Sequence, residues 1–217
     1  MSLMQILGAD GNNKPVKSVF GDALPVSQIG AKFLEWARKG YIYVGSVGTA
    51  AELPKYDDVT NIPTLWNKAD SGKIVIPLRL NVGFLTAATE IIHGLALSYK
   101  ANAGSMLATA APFSAFTEVA AVSTLLGSNK AAVTKWSPAT NIQTAASAFL
   151  MMLDMGLWTE GTADGTAPYN NMHYDFDGSL IMLPGTSICI GANVAGSTAV
   201  NTSIVFAELP YNPADFA

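Results

Sequence analysis

Along residues 73–82, KIVIPLRLNV, the side chains alternate: Ile74, Ile76, Leu78, Leu80 and Val82 share one face, and Lys73, Val75, Pro77, Arg79 and Asn81 the other. A period of two held over this length predicts a half-buried β-strand. Pro77 has no N–H to give to a ladder, so the strand is expected at a sheet edge, or with a bulge at Pro77. Residues 90–99, EIIHGLALSY, repeat the period with Ile91, His93, Leu95, Leu97 and Tyr99 on one face, and the two segments read as a hairpin.

The same alternation organises the C-terminal third. Ile188, Ile190 and Ala192 alternate with Ser187, Cys189 and Gly191, and on the return Ile204 and Phe206 alternate with Ser203, Val205 and Ala207. These are expected to pair as a second hairpin across the loop VAGSTAVN. Its other face carries small, mostly uncharged groups where a solvated sheet would carry charge, so it is expected to be covered as well, by another strand layer or another subunit.

YIYVGS (41–46) reads as a short strand, and so does SAFLMMLDMGLW (147–158). GSNK (127–130) and SPATN (137–141) read as turns. LPVSQIGAKFLEW (24–36) is the best helix candidate, with Ile29, Phe33 and Trp36 near helical spacing. The chain is thus expected to divide into an N-terminal arm with a short helix, residues 1–40, and one all-β domain, residues 41–217. Short strands separated by turn signals indicate an antiparallel sandwich or a barrel.

Composition sharpens this. The chain of 217 residues is 13% charged and 50% apolar, well below the roughly one-quarter charge of typical soluble domains. Every apolar stretch is broken by Gly, Pro, Asn or Thr, so no membrane-spanning helix is expected and the excess apolar area points to contacts between subunits. Val75, Ile92, Ala96, Cys189 and Ala207 are the residues such contacts are expected to cover. The N-terminal MSLMQILGADGNNK lacks the pattern of a secretory signal, and a single cysteine leaves no internal disulfide framework, which fits folding in a reducing cytoplasm. All twelve basic residues lie at or before Lys135; residues 1–135 carry a net +3 and residues 136–217 a net −7. The asymmetry is either drift on a solvated surface or the complementary faces of neighbouring subunits. No basic patch interleaved with aromatics occurs, so nucleic acid is not an expected partner.

Chemistry-bearing motifs are scarce. The histidines are His93 and His173, with no HxH, HExxH or CxxC spacing, so no metal site or cofactor is expected. His93, on the apolar face of its strand, reads as a hydrogen-bonded core or interface histidine, or as a pH-sensitive contact. Cys189 reads as a small packing residue, at an interface if its face is covered by a neighbour. YDFDG (174–178) places Asp175 and Asp177 two apart, but no calcium-loop continuation follows and a solvated turn is the simpler reading. No catalytic residue is assigned and no enzyme activity is expected. Trp158 and Tyr169, beside TEGTADGTAP, are placed in loops where aromatics could stack on a ligand.

PTLWNKADSGKIVIPLRLNVGF, FDGSLIMLPGTSICIGANVAG and SIVFAELP resemble recurrent pieces of bacteriophage virion proteins with a jelly-roll fold, in which a Gly-Ser, apolar, Pro-Gly corner precedes the last hairpin. The resemblance covers about residues 60–100 and 174–210. It implies a jelly-roll-like sandwich that forms a homo-oligomer, a trimer by preference, and docks on other virion proteins as a decoration, fibre or tail-associated component, assembled in the host cytoplasm. The alternative is a receptor- or glycan-binding sandwich in which Trp158 and Tyr169, with Tyr41 and Tyr43, supply the stacking surface.

Overall fold

The computed structural model describes residues 16–17, 23–24, 33–46, 51–56, 58, 61–84, 94–100, 113–116, 118–142, 148–153, 171–193 and 199–215. In chain order the elements are β1 (Val16–Lys17), β2 (Ala23–Leu24), α1 (Leu34–Arg38), β3 (Ile42–Ser46), β4 (Ala51–Glu52), β5 (Ile62–Trp66), β6 (Lys73–Phe84) and β7 (Leu95–Lys100). They continue with β8 (Phe113–Phe116), β9 (Val122–Ser123), β10 (Lys135–Ile142), β11 (Ala148–Leu153), β12 (Asn171–Asp175), β13 (Ser187–Ala192) and β14 (Ala199–Pro210). β1 and β2 pair as a small ribbon; the rest form two antiparallel sheets packed face to face, β11-β7-β13-β5-β10-β8 and β12-β6-β14-β3-β9, with β4 beside β14. Among the described residues no helix is long and apolar enough to cross a membrane.

The order of the strands is that of a jelly roll. Taken along the chain, β3, β5, β6, β7, β11, β12, β13 and β14 fall as β3-β14-β6-β12 in one layer and β5-β13-β7-β11 in the other, two interlocked Greek keys. β8, β9 and β10 are an insertion between β7 and β11. It does not stay beside them. β10 pairs with β5 and β8 with β10, while β9 pairs with β3, so the insertion extends both sheets on the side where β3 and β5 lie.

Both hairpins expected from the sequence are absent as pairs, because β6 and β7, and likewise β13 and β14, belong to opposite sheets. The face assignments explain why. Ile188 and Ile190 of β13 and Ile204 and Phe206 of β14 do share one core, but they meet across the sandwich. Side-by-side pairing would leave that apolar face needing a third element, whereas folding one strand over the other buries both faces at once.

β6 is not an edge strand: it lies between β12 and β14. The alternative reading of Pro77 holds, since the register against β14 slips between Arg79, opposite Val205, and Pro77, opposite Phe206, leaving Leu78 as the extra residue of a bulge. The bulge reverses the phase of the strand. Leu80 and Val82 point into the main core with Val75, while Ile74, Ile76 and Leu78 point to the outer side, so the single apolar face expected across 73–82 is divided between two cores. SPATN, expected as a turn, lies inside β10, where the ladder to β5 is irregular between Ser137 and Thr140 and accommodates Pro138. The helix is one turn, Leu34–Arg38, later than expected; Leu24 ends β2, Phe33 caps the helix with φ 67°, and Ile29 lies outside the described residues.

The outer faces are covered by the chain itself. On β13, Gly191 faces the backbone of Tyr56: a Cβ built there would stand 2.4 Å from Tyr56 Cα. Tyr56 N–H donates to the Ala192 carbonyl (2.9 Å), Ala192 N–H donates to that of Pro54 (2.9 Å), and the Ser98 hydroxyl donates to that of Tyr56 (2.9 Å). Val75, Ala96, Cys189 and Ala207, expected to need a neighbouring subunit, are fully buried within this one; Ile92 lies outside the described residues. On the other sheet α1 and the C-terminal end of β14 cover Ile42, Ile74, Ile76, Leu78 and Ala207 with Phe33, Trp36, Ala37, Leu209 and Tyr211.

The insertion is locked to the sandwich by Trp136 of β10, which is fully buried in the main core. Its ring occupies the space over Gly45 of β3, where any Cβ would lie 2.7 Å from Trp136 Cγ. Beside it the Thr134 N–H donates to Glu208 Oε1 (2.6 Å), giving that buried carboxylate a partner.

Candidate functional site

The bulge in β6 and the brevity of α1 together open a groove on the outer face of the β12-β6-β14-β3 layer. A helix of one turn cannot cover four strands. Between it and the sheet remains a space of about 570 Å³, floored by Ile42, Leu78 and Val205 and walled by Phe33, Leu34 and Ala37. Leu78 reaches this floor because the bulge turns it outward. Arg79, Asp175 and Asp177 form the polar end of the groove, on the β12 side.

The polar end is built by register. Asp175 of β12 stands opposite Arg79 of β6, and the guanidinium donates two hydrogen bonds to it, Nε to Oδ1 (2.6 Å) and Nη2 to Oδ2 (3.0 Å). This fork-to-fork contact holds the guanidinium above its ordinary pKa, through the hydrogen bonds first and the carboxylate charge second. Phe176 then plunges into the core, fully buried and edge-on to Tyr174 (5.0 Å), and the chain turns through Asp177 (φ 52°) and Gly178 (φ 82°). The YDFDG segment is therefore a turn, with Asp177 exposed at its corner. Further along the same outer face the Asn81 amide donates to Ser203 Oγ (3.1 Å), opposite the exposed His173.

A second surface feature sits on the insertion. Between β9 and β10 the chain makes a turn, TLLGSNK, that presents Leu126 at 85% exposure and Leu125 at 41%, beside Val122 of β9 at 61%. The turn is tied down at its base. Thr124 donates its N–H (2.9 Å) and its hydroxyl (3.3 Å) to the Ile42 carbonyl, the Ser128 N–H donates to that of Leu125 (3.0 Å), and Lys130 Nζ donates to the Lys39 carbonyl while lying over the Tyr41 ring.

Of the residues singled out in the sequence, His93, Trp158 and Tyr169 lie outside the described residues. Cys189 is described and fully buried: it packs with Ile62 and Trp66, and the Thr64 hydroxyl donates to its sulfur (3.5 Å). Its thiol is enclosed within the subunit, which is the packing role and gives it no surface to share with a neighbour. The groove was missed because its floor depends on the bulge, and its only local trace is Pro77. The leucine turn was visible as GSNK, but nothing local said that the leucines before it would stay outside.

Among the described residues no group of three or more His, Cys, Asp or Glu side chains could hold a metal ion. The groove offers shape, apolar contact and a salt-sensitive charge at one end. No protein-family model matches the chain, and neither a curated protein nor a solved structure is similar enough to count as a match.

Proposed function

We propose that this protein is a non-catalytic structural component of a bacteriophage virion, in which the jelly roll self-associates, as a trimer, and docks on other virion proteins. The observation that carries the reading is a jelly-roll framework, covered by its own chain at Gly191 and open in a groove over β14, whose insertion presents a tethered apolar turn to solvent. Val122, Leu125 and Leu126, exposed side by side, form an apolar cluster of the kind that a partner covers. The placement in a virion rests on the sequence likeness of residues 60–100 and 174–210, and the low charge of the chain suits a surface largely occupied in an assembly. Membership in a particle is checked by purifying the phage or prophage particle whose genome encodes the chain and quantifying its proteins by mass spectrometry. The chain should be present in many copies per particle. Its absence from intact, infectious particles would refute the reading.

A further inference from the structure

We propose that the Leu125–Leu126 turn of one copy inserts into the groove beneath α1 of the next copy, making a head-to-tail contact between two different patches of the same chain. This rests on the self-association read above and names the surfaces that would carry it.

Three features argue for a second copy as the occupant. The first is fit. The groove has an apolar floor and wall and a volume of about 570 Å³, within the roughly 300–1,000 Å³ of pockets that bury a ligand well. That leaves room for the two leucine side chains of a turn. The turn is also held in shape by the bonds to the Ile42 and Leu125 carbonyls, so little order has to be gained on docking.

The second is charge. Exposed Lys39 and Lys130 lie at the base of the turn, Lys130 Nζ donating to the Lys39 carbonyl, whereas the polar end of the groove holds two acids, Asp175 and Asp177, to one arginine, Arg79. The basic residues belong to the positive first part of the chain and the acids to the negative second part. Opposite charges flanking an apolar contact fix its direction and exclude the inverted pairing.

The third is position. In the layer β12-β6-β14-β3-β9 the turn leaves from β9 at one edge, and Asp175 belongs to β12 at the other. Four strand spacings put these edges on the order of 19 Å apart. The turn, bonded to Ile42 at the β3 end of the groove, therefore stands well away from the acidic end of that groove. Two unlike patches of one chain, a turn beside β9 and a groove that runs from β3 to β12, make a heterologous contact, which closes into a ring when the rotation per subunit allows it.

The test uses two variants of the full chain. Leu126→Asp disables the turn and leaves the groove; Leu34→Asp disables the groove wall and leaves the turn. Leu126 and Leu34 are both exposed, so each variant should keep the wild-type far-UV circular dichroism and a cooperative melt, lowered only by the assembly it has lost. Native mass spectrometry should give an oligomer for wild type, monomers for each variant alone, and one-to-one heterodimers, no larger, when the two are mixed, because only one working turn and one working groove remain. Wild-type assembly in either variant would overturn this inference and leave self-association standing through other surfaces. A monomeric wild type would overturn both.

Discussion

The two outer faces of the sandwich are covered in different ways. Over β13 a neighbouring segment of backbone lies directly on the sheet: Gly191 and Tyr56 are in main-chain contact, Ala192 N–H donates to the Pro54 carbonyl and Tyr56 N–H to the Ala192 carbonyl, and no space is left at Gly191. Over β14 the cover is a single helical turn that touches the sheet through Phe33, Trp36 and Ala37 and leaves a groove beside them. Backbone on backbone seals a face, because hydrogen bonds fix both the distance and the register. Side chains from one helical turn reach only a few residues, so the rest of the face stays available. The difference teaches how a groove survives on a sandwich face: side-chain cover leaves one over β14, and backbone cover leaves none over Gly191 of β13.

The interior common to both faces should show the largest effect. Phe206 is fully buried, stacked on Tyr43 at 5.9 Å between ring centres. Phe206→Ala should lower stability by about 3–5 kcal/mol through lost transfer energy and a residual cavity. A denaturant melt showing less than about 1 kcal/mol would mean that the core is not organised around this ring.

The sealed face comes next. Gly191→Ala forces a Cβ into the backbone of Tyr56, and overpacking against an element that cannot rotate away should cost about 3 kcal/mol, the upper end of its usual range. The same change should raise hydrogen exchange at Tyr56 and Ala192, whose amides bridge the two segments. A silent Gly191→Ala would show that the cover is loose. On the open face, Leu78→Ala removes the groove floor, and since the groove can admit water the loss should be nearer about 2 kcal/mol, the low end for a buried leucine. A loss as large as that of Phe206→Ala would mean that the groove is closed in solution.

The smallest effect concerns pH. Burial, and then the charge of Glu208, raise the Tyr43 hydroxyl above its ordinary value of 10.0. The folded state then holds that proton more tightly than the unfolded chain does. Its contribution to stability is complete below pH 10.0 and is lost as the pH climbs through the raised folded value. Tyr43→Phe removes this loss, so the gap between wild type and variant should shift in favour of the variant only on the alkaline side. A gap that stays constant across that range would place the Tyr43 hydroxyl in contact with water.

Much of this fold was legible locally. The alternation in 187–192 and 203–207 fixed which side chains enter the core, and Pro77 marked the bulge that divides β6 between two cores. What alternation cannot encode is the partner of a strand. β13 and β14 alternate just as two neighbours in a hairpin would, and whether they pair or stack depends on β6, β3, β5 and β7, far away in sequence. Pro138 misled for a related reason. A proline and its polar neighbours are a turn signal in isolation, yet pairing of β10 with β5 on one side and β8 on the other absorbs the irregularity. Gly45 and Gly191 carried no local signal either, because the need for each is set by a residue that arrives from elsewhere, Trp136 in one case and Tyr56 in the other.

The candidate site was legible only in pieces. Asp175 and Asp177 stood out as acids two apart, and GSNK as a turn. The relation between them required the insertion to carry β9 to one edge of a layer whose other edge is β12.

Self-association is the claim on which the functional account stands, and sedimentation equilibrium of the wild-type chain over a dilution series tests it most directly. The account predicts a limiting mass of about three times 22.7 kDa that falls toward the monomer on dilution and does so sooner in high salt, where the charges beside the turn and the groove are screened. A mass of 22.7 kDa at every concentration and salt would contradict it.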